Sequence, residues 1–501
     1  VVFLVSVWVF PFSEGPSRDA LQQIYALGIL SVSALLFGMA AIPLGITAIC
    51  VCALICMIFV QSPFVGGRIA GVAAILLFGV ACHVGANLKK QDAALKWILI
   101  SIVTAALINA IEGILQWLGL IGYLSPWVVE TETRGLAFGA FRQRNLFATF
   151  LVVGIICIIW LRSIDKLTEY FSWFLILILS FALAASASRT GILEVIAIAV
   201  FGFVKRKKQI KSVTILMIGQ AIMYLLATSV LPVVAKIHGF NFSTSVARAA
   251  SSTQDSRLAL WGNVIQMIRE RPWSGWGWLD LGYGHYVTIF QERFNEKLHH
   301  AHNFPLQIAV EFGLPVLIFF VVIVFVFLMN VLRDYKLKNN DEKIGNEFVF
   351  LIFVVIFCIH SMLEFPLWYA GFIFLTGLSI GYLCGELKIS QYKFCKSKIK
   401  LFHNLLAVFL IFLSVFSFNQ YSKILKISRA DFGDKNARHA AILSAADAWL
   451  FDEYQKFSAL EFINSNKVKS LESKKTLENL LHLSAEPRVI RPLLSVLWNL
   501  K

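Results

Sequence analysis

Apolar stretches long enough to cross a hydrocarbon layer recur along nearly the whole chain, separated by short polar segments. A crossing takes about 20 such residues as a helix, because lipid offers no partner to an open backbone N–H or C=O. The stretches centre on Ile24–Met39, Leu44–Val60, Ile69–Asn87, Trp97–Leu120, Leu146–Leu161, Phe171–Ala185, Ile192–Val204 and Val213–Val234, then on Leu306–Leu332, Phe348–Leu363, Phe372–Gly385 and Leu401–Phe418. Val1–Phe10 is too short to cross. It reads as the remnant of a span whose N-terminal part is absent, in preference to a cleaved signal peptide. The expectation is an all-α polytopic membrane protein with about 12–13 transmembrane helices. Composition agrees: of 501 residues, 58% are hydrophobic and 15% charged, against about 45–50% and about 25% in soluble domains.

The net charge of +15 would suggest nucleic acid in a soluble chain, but its location argues otherwise. Basic residues collect in alternate loops: Lys89, Lys90 and Lys96; Arg162 and Lys166; Lys205, Arg206, Lys207, Lys208 and Lys211; Arg333, Lys336, Lys338 and Lys343; Lys388, Lys393, Lys396, Lys398 and Lys400. Cationic loops stay in the cytoplasm, so the charge reads as topology and excludes nucleic acid as a partner. The opposite loops then face outward: a long one over 236–305, shorter ones at Pro11–Gln23, Gln61–Arg68, Ile121–Asn145, Ser186–Gly191 and Glu364–Ala370, and a polar tail over 419–501 with helical periodicity. Seven of the eight Cys fall in spans and Cys395 in a basic loop, so no outward segment carries a disulfide.

The outward segments concentrate polar chemistry. The long loop holds Arg257, Trp261, Arg269, Arg271, the run Pro272-Trp-Ser-Gly-Trp-Gly-Trp278, and His299-His-Ala-His-Asn303. Imidazole is the side chain best suited to take a proton from an alcohol near neutral pH, and guanidinium clamps phosphate oxygens without ionising. Arg189 lies at the outward end of a span, where an anionic ligand or a carboxylate such as Glu194 or Glu364 would compensate it. Arg142 and Arg144 sit similarly. The Trp run also fits an interfacial aromatic belt.

Outward acids include Glu130, Glu132, Asp255, Glu270, Asp280, Glu292, Glu296 and Glu364, and none forms the D-x-D pattern of metal-dependent sugar transferases. The adjacent histidines lack the spacing of a helical zinc site, Cys50, Cys52 and Cys56 lack a His partner, and His83, His360 and His403 read as bundle packing rather than haem ligands. No cofactor or metal is expected.

These residues resemble the O-antigen ligase and polymerase superfamily, and within it the PglL-type protein O-oligosaccharyltransferases. The likeness covers nearly all the spans. Arg257, Trp261, Pro272, Gly275 and Gly277 look like the superfamily's Arg, Trp and Pro-x-x-Gly-x-Gly series; His302-Asn303, Gln307 and Glu311-Phe-Gly313 look like its His-Asn motif. Gln143-Arg-Asn-Leu-Phe-Ala148 resembles a Gln-x-Asn-x-x-Ala signature, with Arg144 where many relatives have Pro. Glu364-Phe-Pro-Leu-Trp-Tyr369 resembles the Glu-Tyr-Pro-Leu-Trp-Tyr signature of protein transferases, with Phe365 in place of Tyr, so no role of that hydroxyl carries over.

The resemblance implies a transmembrane transferase domain over 1–418, including the periplasmic loop 236–305, and a helical periplasmic domain over 419–501. It implies a polyprenyl-diphosphate-linked oligosaccharide as donor and a periplasmic acceptor protein, type IV pilin being one candidate, at the outer face of the bacterial inner membrane. His302 is then the expected base toward a Ser or Thr hydroxyl, with Arg189 and Arg257 on the diphosphate. Gln143, Arg144, Asn145, His300, Glu364 and Tyr369 are expected glycan or acceptor contacts. An O-antigen ligase or polymerase with a sugar acceptor is the alternative within the superfamily, and a transporter of lipid-linked glycans the alternative outside it. The alternation of charge makes the orientation testable. Cys probes at Lys207 and Lys396 will be shielded in intact cells while probes at Ser252 and Ser458 label from outside, and labelling at Lys207 would invert the topology.

Overall fold

The computed structural model describes residues 1–40, 42, 44–131, 133–205, 211–250, 253–296, 298–338, 345–384, 396–430, 433–465 and 471–499. Glu132, Arg206, Lys207, Lys208, Ser252, Lys343, Gly385, Lys388, Lys393 and Cys395 lie outside the described residues, as do the side chains of Lys205, Asp255, Lys336, Lys338, Lys396, Lys398 and Lys400.

All regular structure among the described residues is helical. The helices in chain order are α1 (Val2–Trp8), α2 (Ala20–Phe37), α3 (Leu44–Phe59), α4 (Val65–Leu88), α5 (Asp92–Leu118), α6 (Arg144–Ser163), α7 (Glu169–Ala185), α8 (Arg189–Lys205) and α9 (Lys211–Ile237). Then come α10 (Ser245–Ala250), α11 (Thr253–Glu270), α12 (Leu281–Val287), α13 (Phe304–Phe312), α14 (Leu314–Lys338), α15 (Asn346–Ser361) and α16 (Ala370–Cys384). The last five are α17 (Lys396–Arg429), α18 (Lys435–Ser444), α19 (Asp452–Ser465), α20 (Leu471–Leu483) and α21 (Pro487–Asn499).

The chain is a multi-pass membrane protein. Seven described helices are long and apolar enough to cross: Ala20–Phe37, Val65–Leu88, Asp92–Leu118, Arg144–Ser163, Lys211–Ile237, Leu314–Val331 and Leu401–Arg429. Four apolar helices are shorter, at Gly45–Phe59, Glu169–Ala185, Asn346–Ser361 and Ala370–Cys384. Three of these meet polar turns at one end of the bundle: α7 stops at Ser186 and Ala187, and α15 and α16 flank the segment Met362–Tyr369. Side chains of functional type replace what would be a last apolar turn.

The apolar run Leu306–Leu332 divides into α13 and α14. Gly313 adopts φ +88° and Pro315 follows two residues later, so the helix cannot continue through that point. The long loop is itself partly helical, holding α10, α11 and α12.

The core centres on α6, almost wholly buried among α5, α7, α8, α9 and α15. Its start is fixed by Gln143, whose side-chain oxygen accepts from Leu146 N at 2.6 Å. The seven-residue α1 packs on α5 and α2, and its Trp8 stacks on Phe150 of α6 at 4.3 Å and meets Phe372 of α16 edge-on at 5.5 Å. The C-terminal helices enclose Leu477, Leu480, Val489 and Leu493, and α20 reaches the long loop through His482 Nδ1 on Asp280 at 2.6 Å.

The crossing of α4 and α16 depends on missing side chains. A Cβ on Gly381 would lie 1.9 Å from the Cys82 carbonyl oxygen, and one on Gly85 would lie 2.1 Å from that of Leu378. Small residues let membrane helices approach when lipid supplies no hydrophobic drive. Gly381→Leu will therefore abolish recovery of monodisperse protein after detergent extraction, since overpacking typically costs about 1–3 kcal/mol and here meets backbone. Gly45→Leu, which enters open space, will leave recovery unchanged, and equal recovery of both variants would refute this account of the crossing.

Candidate active site

The Trp-Ser-Gly-Trp-Gly-Trp run builds the frame. Gly275 at φ +66° lies so close to Glu311 that a Cβ would come within 2.4 Å of its carbonyl oxygen. That approach lets Trp276 N donate to Val310 O at 2.7 Å, Gly277 N to Glu311 O at 3.0 Å and Leu314 N to Pro272 O at 2.7 Å, pinning the end of α13. Glu311 returns the contact, accepting from Leu279 N at 2.9 Å. Trp276 is buried and its indole donates to Met267 O. The run thus acts as packing, and Trp273 is its exposed member.

At the start of α13, Asn303 is the N-cap. Its Oδ1 accepts from Leu306 N at 3.0 Å while its Nδ2 donates to Met362 O at 3.0 Å. Gln307 accepts from Ala301 N at 2.6 Å, and the Trp261 indole donates to Ala301 O at 3.0 Å. Residues 301–303 are held from three directions, with His302 at φ +50° between them.

Glu364 is the hub. Its Oε2 lies 2.7 Å from His302 Nδ1, and its Oε1 accepts from Arg257 Nη2 at 2.5 Å and from Asn145 Nδ2 at 2.8 Å. Only 4% of its side chain is exposed, and burial opposes its ionisation. The His302 hydrogen bond, then the His302 and Arg257 charges, outweigh that and hold its carboxyl below the usual range. An ionised carboxylate only accepts hydrogen bonds, so His302 presents Nδ1–H to it, and the neutral form of the ring carries its lone pair on Nε2, away from Glu364. The His302 ring is 37% exposed, enough to meet a substrate. Arg257 and Trp261 lie four apart on α11, so one helix face delivers both the guanidinium to Glu364 and the indole to Ala301.

Positive charge gathers on one side of the hub. Arg189 at the start of α8 lies within electrostatic reach of Arg257, Arg248 and Glu364, and Arg144 within reach of Arg189 and Arg248. Arg248 on α10 donates to Ala187 O at 3.0 Å; burial first, then the Arg144 and Arg257 charges, lowers its pKa. Sequence reasoning missed Arg248, a single cation among small residues in Ser245-Val-Ala-Arg-Ala-Ala250 with no motif around it. Glu194 does not serve Arg189 as the alternative reading had it: it binds Thr149 Oγ1 at 2.6 Å. The other side of the hub is aromatic. His300 stacks on Phe365 at 4.0 Å and meets Trp368 edge-on at 4.9 Å, and Phe365 meets His302 edge-on at 5.3 Å. Burial, with the His302 and His299 charges, pushes His300 down to about 3, which makes it a neutral ring in a stack.

Of the other expected contacts, Asn145 joins the hub and also accepts from Ser188 Oγ at 2.7 Å. Gln143 caps α6. Tyr369 turns away from the hub, its hydroxyl 3.4 Å from Asp19, whose neighbour in charge is Arg142. The next residue, Ala370, donates its N–H to Gln23 at 2.7 Å, so the start of α2 anchors that end of the loop.

The site thus sets a carboxylate–imidazole pair beside clustered arginines at one end of an apolar helical bundle. The family profile described as O-Antigen ligase matches residues 174–321, and the profile described as Virulence factor membrane-bound polymerase, C-terminal, matches residues 348–501. Two curated relatives come from Acinetobacter baylyi. The chain is similar to a General O-oligosaccharyltransferase, 26% identical over 62% of this chain and 55% of the relative, and to a ComP-specific O-oligosaccharyltransferase, 22% identical over 61% and 54%. The chain therefore spans about half the length of the curated relatives it matches. Residues 174–321 thus resemble O-antigen ligases, and the chain is similar to O-oligosaccharyltransferases.

The Glu364 geometry fixes a pH dependence. A depressed folded-state pKa gives stability that is complete above the ordinary value of 4.5 and lost as pH falls through the folded value. In detergent, the excess thermal midpoint of the parent protein over Glu364→Gln will be constant from neutral pH to about 5.5 and vanish in stronger acid. A difference independent of pH throughout would show that Glu364 is not ionised.

Proposed function

We propose that the chain transfers a preassembled glycan from a polyprenyl-diphosphate carrier to Ser or Thr of a protein, on the periplasmic side of the bacterial inner membrane. The observation that carries this reading is the His302–Glu364 pair lying next to Arg189, Arg248, Arg144 and Arg257. A base and a polyanion site are the two parts that such a transfer needs. The names of the two relatives support a protein acceptor, and a type IV pilin is the acceptor class we favour.

In the proposed reaction, His302 Nε2 takes the proton of the acceptor hydroxyl and Glu364 stabilises the imidazolium that forms. The acceptor oxygen bonds to the anomeric carbon as the bond from that carbon to the phosphate oxygen breaks. The lipid diphosphate leaves with the electron pair, and direct displacement inverts the anomeric centre. Arg189 and Arg257 hold the diphosphate, Arg257 with the guanidinium N–H groups that Glu364 does not occupy, and Arg144 and Arg248 add charge where it develops. Four guanidinium groups supply the role that a divalent cation fills elsewhere, so the transfer is read as metal-independent. The reading carries with it a transferase domain over 1–418, with its periplasmic loop 236–305, and a helical periplasmic domain over 419–501.

The O-Antigen ligase profile favours a second reading in which the acceptor is a sugar hydroxyl. Mass spectrometry of envelope proteins and of lipopolysaccharide, with and without the chain, separates the two.

His302→Ala will lower protein glycosylation by about 10²–10⁴-fold, the usual contribution of a general base, at unchanged membrane abundance. His300→Ala will do less, and EDTA will leave the parent activity intact. A fully active His302→Ala protein would remove the base, and activity restored to an EDTA-treated sample by a divalent ion would remove the arginine site.

A further inference from the structure

Beneath the site, the same three helices meet in a second polar junction. The upper junction joins Asn145 at the start of α6, Ser188 at the start of α8 and Glu364 just beyond α15, with hydrogen bonds of 2.8 and 2.7 Å meeting at Asn145. In the lower one, Thr149 Oγ1 of α6 lies 2.6 Å from Glu194 Oε1 of α8 and 2.5 Å from His360 Nδ1 of α15. Thr149 follows Asn145 by one helical turn and His360 precedes Glu364 by one, and Glu364 N donates to His360 O at 2.8 Å. Thr149, Glu194 and His360 are all wholly buried.

A hydroxyl has one proton. Donating it to Glu194, Thr149 must accept from His360, which fixes His360 with its proton on Nδ1. Glu194 Oε2 and His360 Nε2 have no hydrogen-bond partner among the described residues. Ionisable groups at this depth are costly where apolar side chains would pack three helices more readily. Their presence there calls for a task, and their placement supplies one: the junction ties together the three elements that deliver Asn145, Ser188 with Arg189, and Glu364.

We propose that Thr149, Glu194 and His360 are positioning residues for glycan transfer, a buried hydrogen-bonded strut that sets where the Glu364 carboxylate stands relative to Arg189. The inference rests on the transferase reading. None of the three touches substrate. A displacement of α15 against α6 would pass through a single turn to Glu364 and so to His302, and misplacement of about 1 Å at a reacting centre can cost about 10²-fold in rate.

The test measures transfer by the full-length protein in membranes, using an undecaprenyl-diphosphate oligosaccharide as donor and a pilin as acceptor. Thr149→Val keeps the shape and removes the hydroxyl, whereas Thr149→Ser keeps the hydroxyl. We expect Thr149→Val to lose about 10–100-fold in kcat with donor KM unchanged, and Thr149→Ser to retain parental kcat. His360→Asn, which keeps an N–H near the Nδ1 position, should likewise exceed His360→Leu. Parental kcat in Thr149→Val, or equal loss in Thr149→Val and Thr149→Ser, overturns the strut. So does failure of both apolar variants to accumulate in the membrane, which would make the junction a folding element. An inactive parent protein would instead overturn the transferase reading itself.

Discussion

A carboxylate that is buried and still charged is the constraint around which this protein is organised. Taking Glu364 out of water would neutralise it unless opposite charge and hydrogen-bond donors replaced the solvent. His302, Arg257 and Asn145 do that, and they come from three distant parts of the chain. Their convergence dictates much of the surrounding architecture: α6 must present Asn145 in its first turn, α11 must turn Arg257 inward, and the chain before α13 must adopt φ +50° at His302. Each requirement has its own local device, respectively the Gln143 cap, the Trp261 indole on Ala301, and the Asn303 cap with Gln307.

Much of this was legible in the sequence, though not the partner that each residue takes. Apolar runs located the helices because lipid forces backbone satisfaction within each segment. The same logic hid the break at Gly313, since a run read for hydropathy does not show a backbone reversal anchored from 272–277. Short motifs identified Gln143, Asn145, His302 and Glu364 as important without separating caps from functional groups. Gln143 proved to be a cap and His300 a stacked ring, roles that depend on neighbours far away in the chain. Arg248 had no signal because its meaning comes only from proximity to Arg144 and Arg257.

The hub divides its surroundings by chemistry. Guanidinium groups lie toward α8 and α10, and rings of His300, Phe365 and Trp368 lie toward the loop after α15. Phe365 therefore matters as a surface against which both imidazoles are set, edge-on to one and face to the other. Its lack of a hydroxyl leaves that wall apolar, while the phenol four residues later serves the Asp19 and Arg142 cluster at the start of α2.

Burial is distributed very unevenly among the spanning helices. About 94% of the α6 window is enclosed by protein, against 6% of the Leu314–Val331 stretch of α14. A helix enclosed on every side has its composition dictated by neighbouring side chains. One that faces lipid nearly all round answers only to hydrophobicity and length. Over evolutionary time α14 is thus free to drift among Val, Ile, Leu and Phe, while α6 holds still. Two relatives of this protein will look least alike in α14, where they are physically most interchangeable.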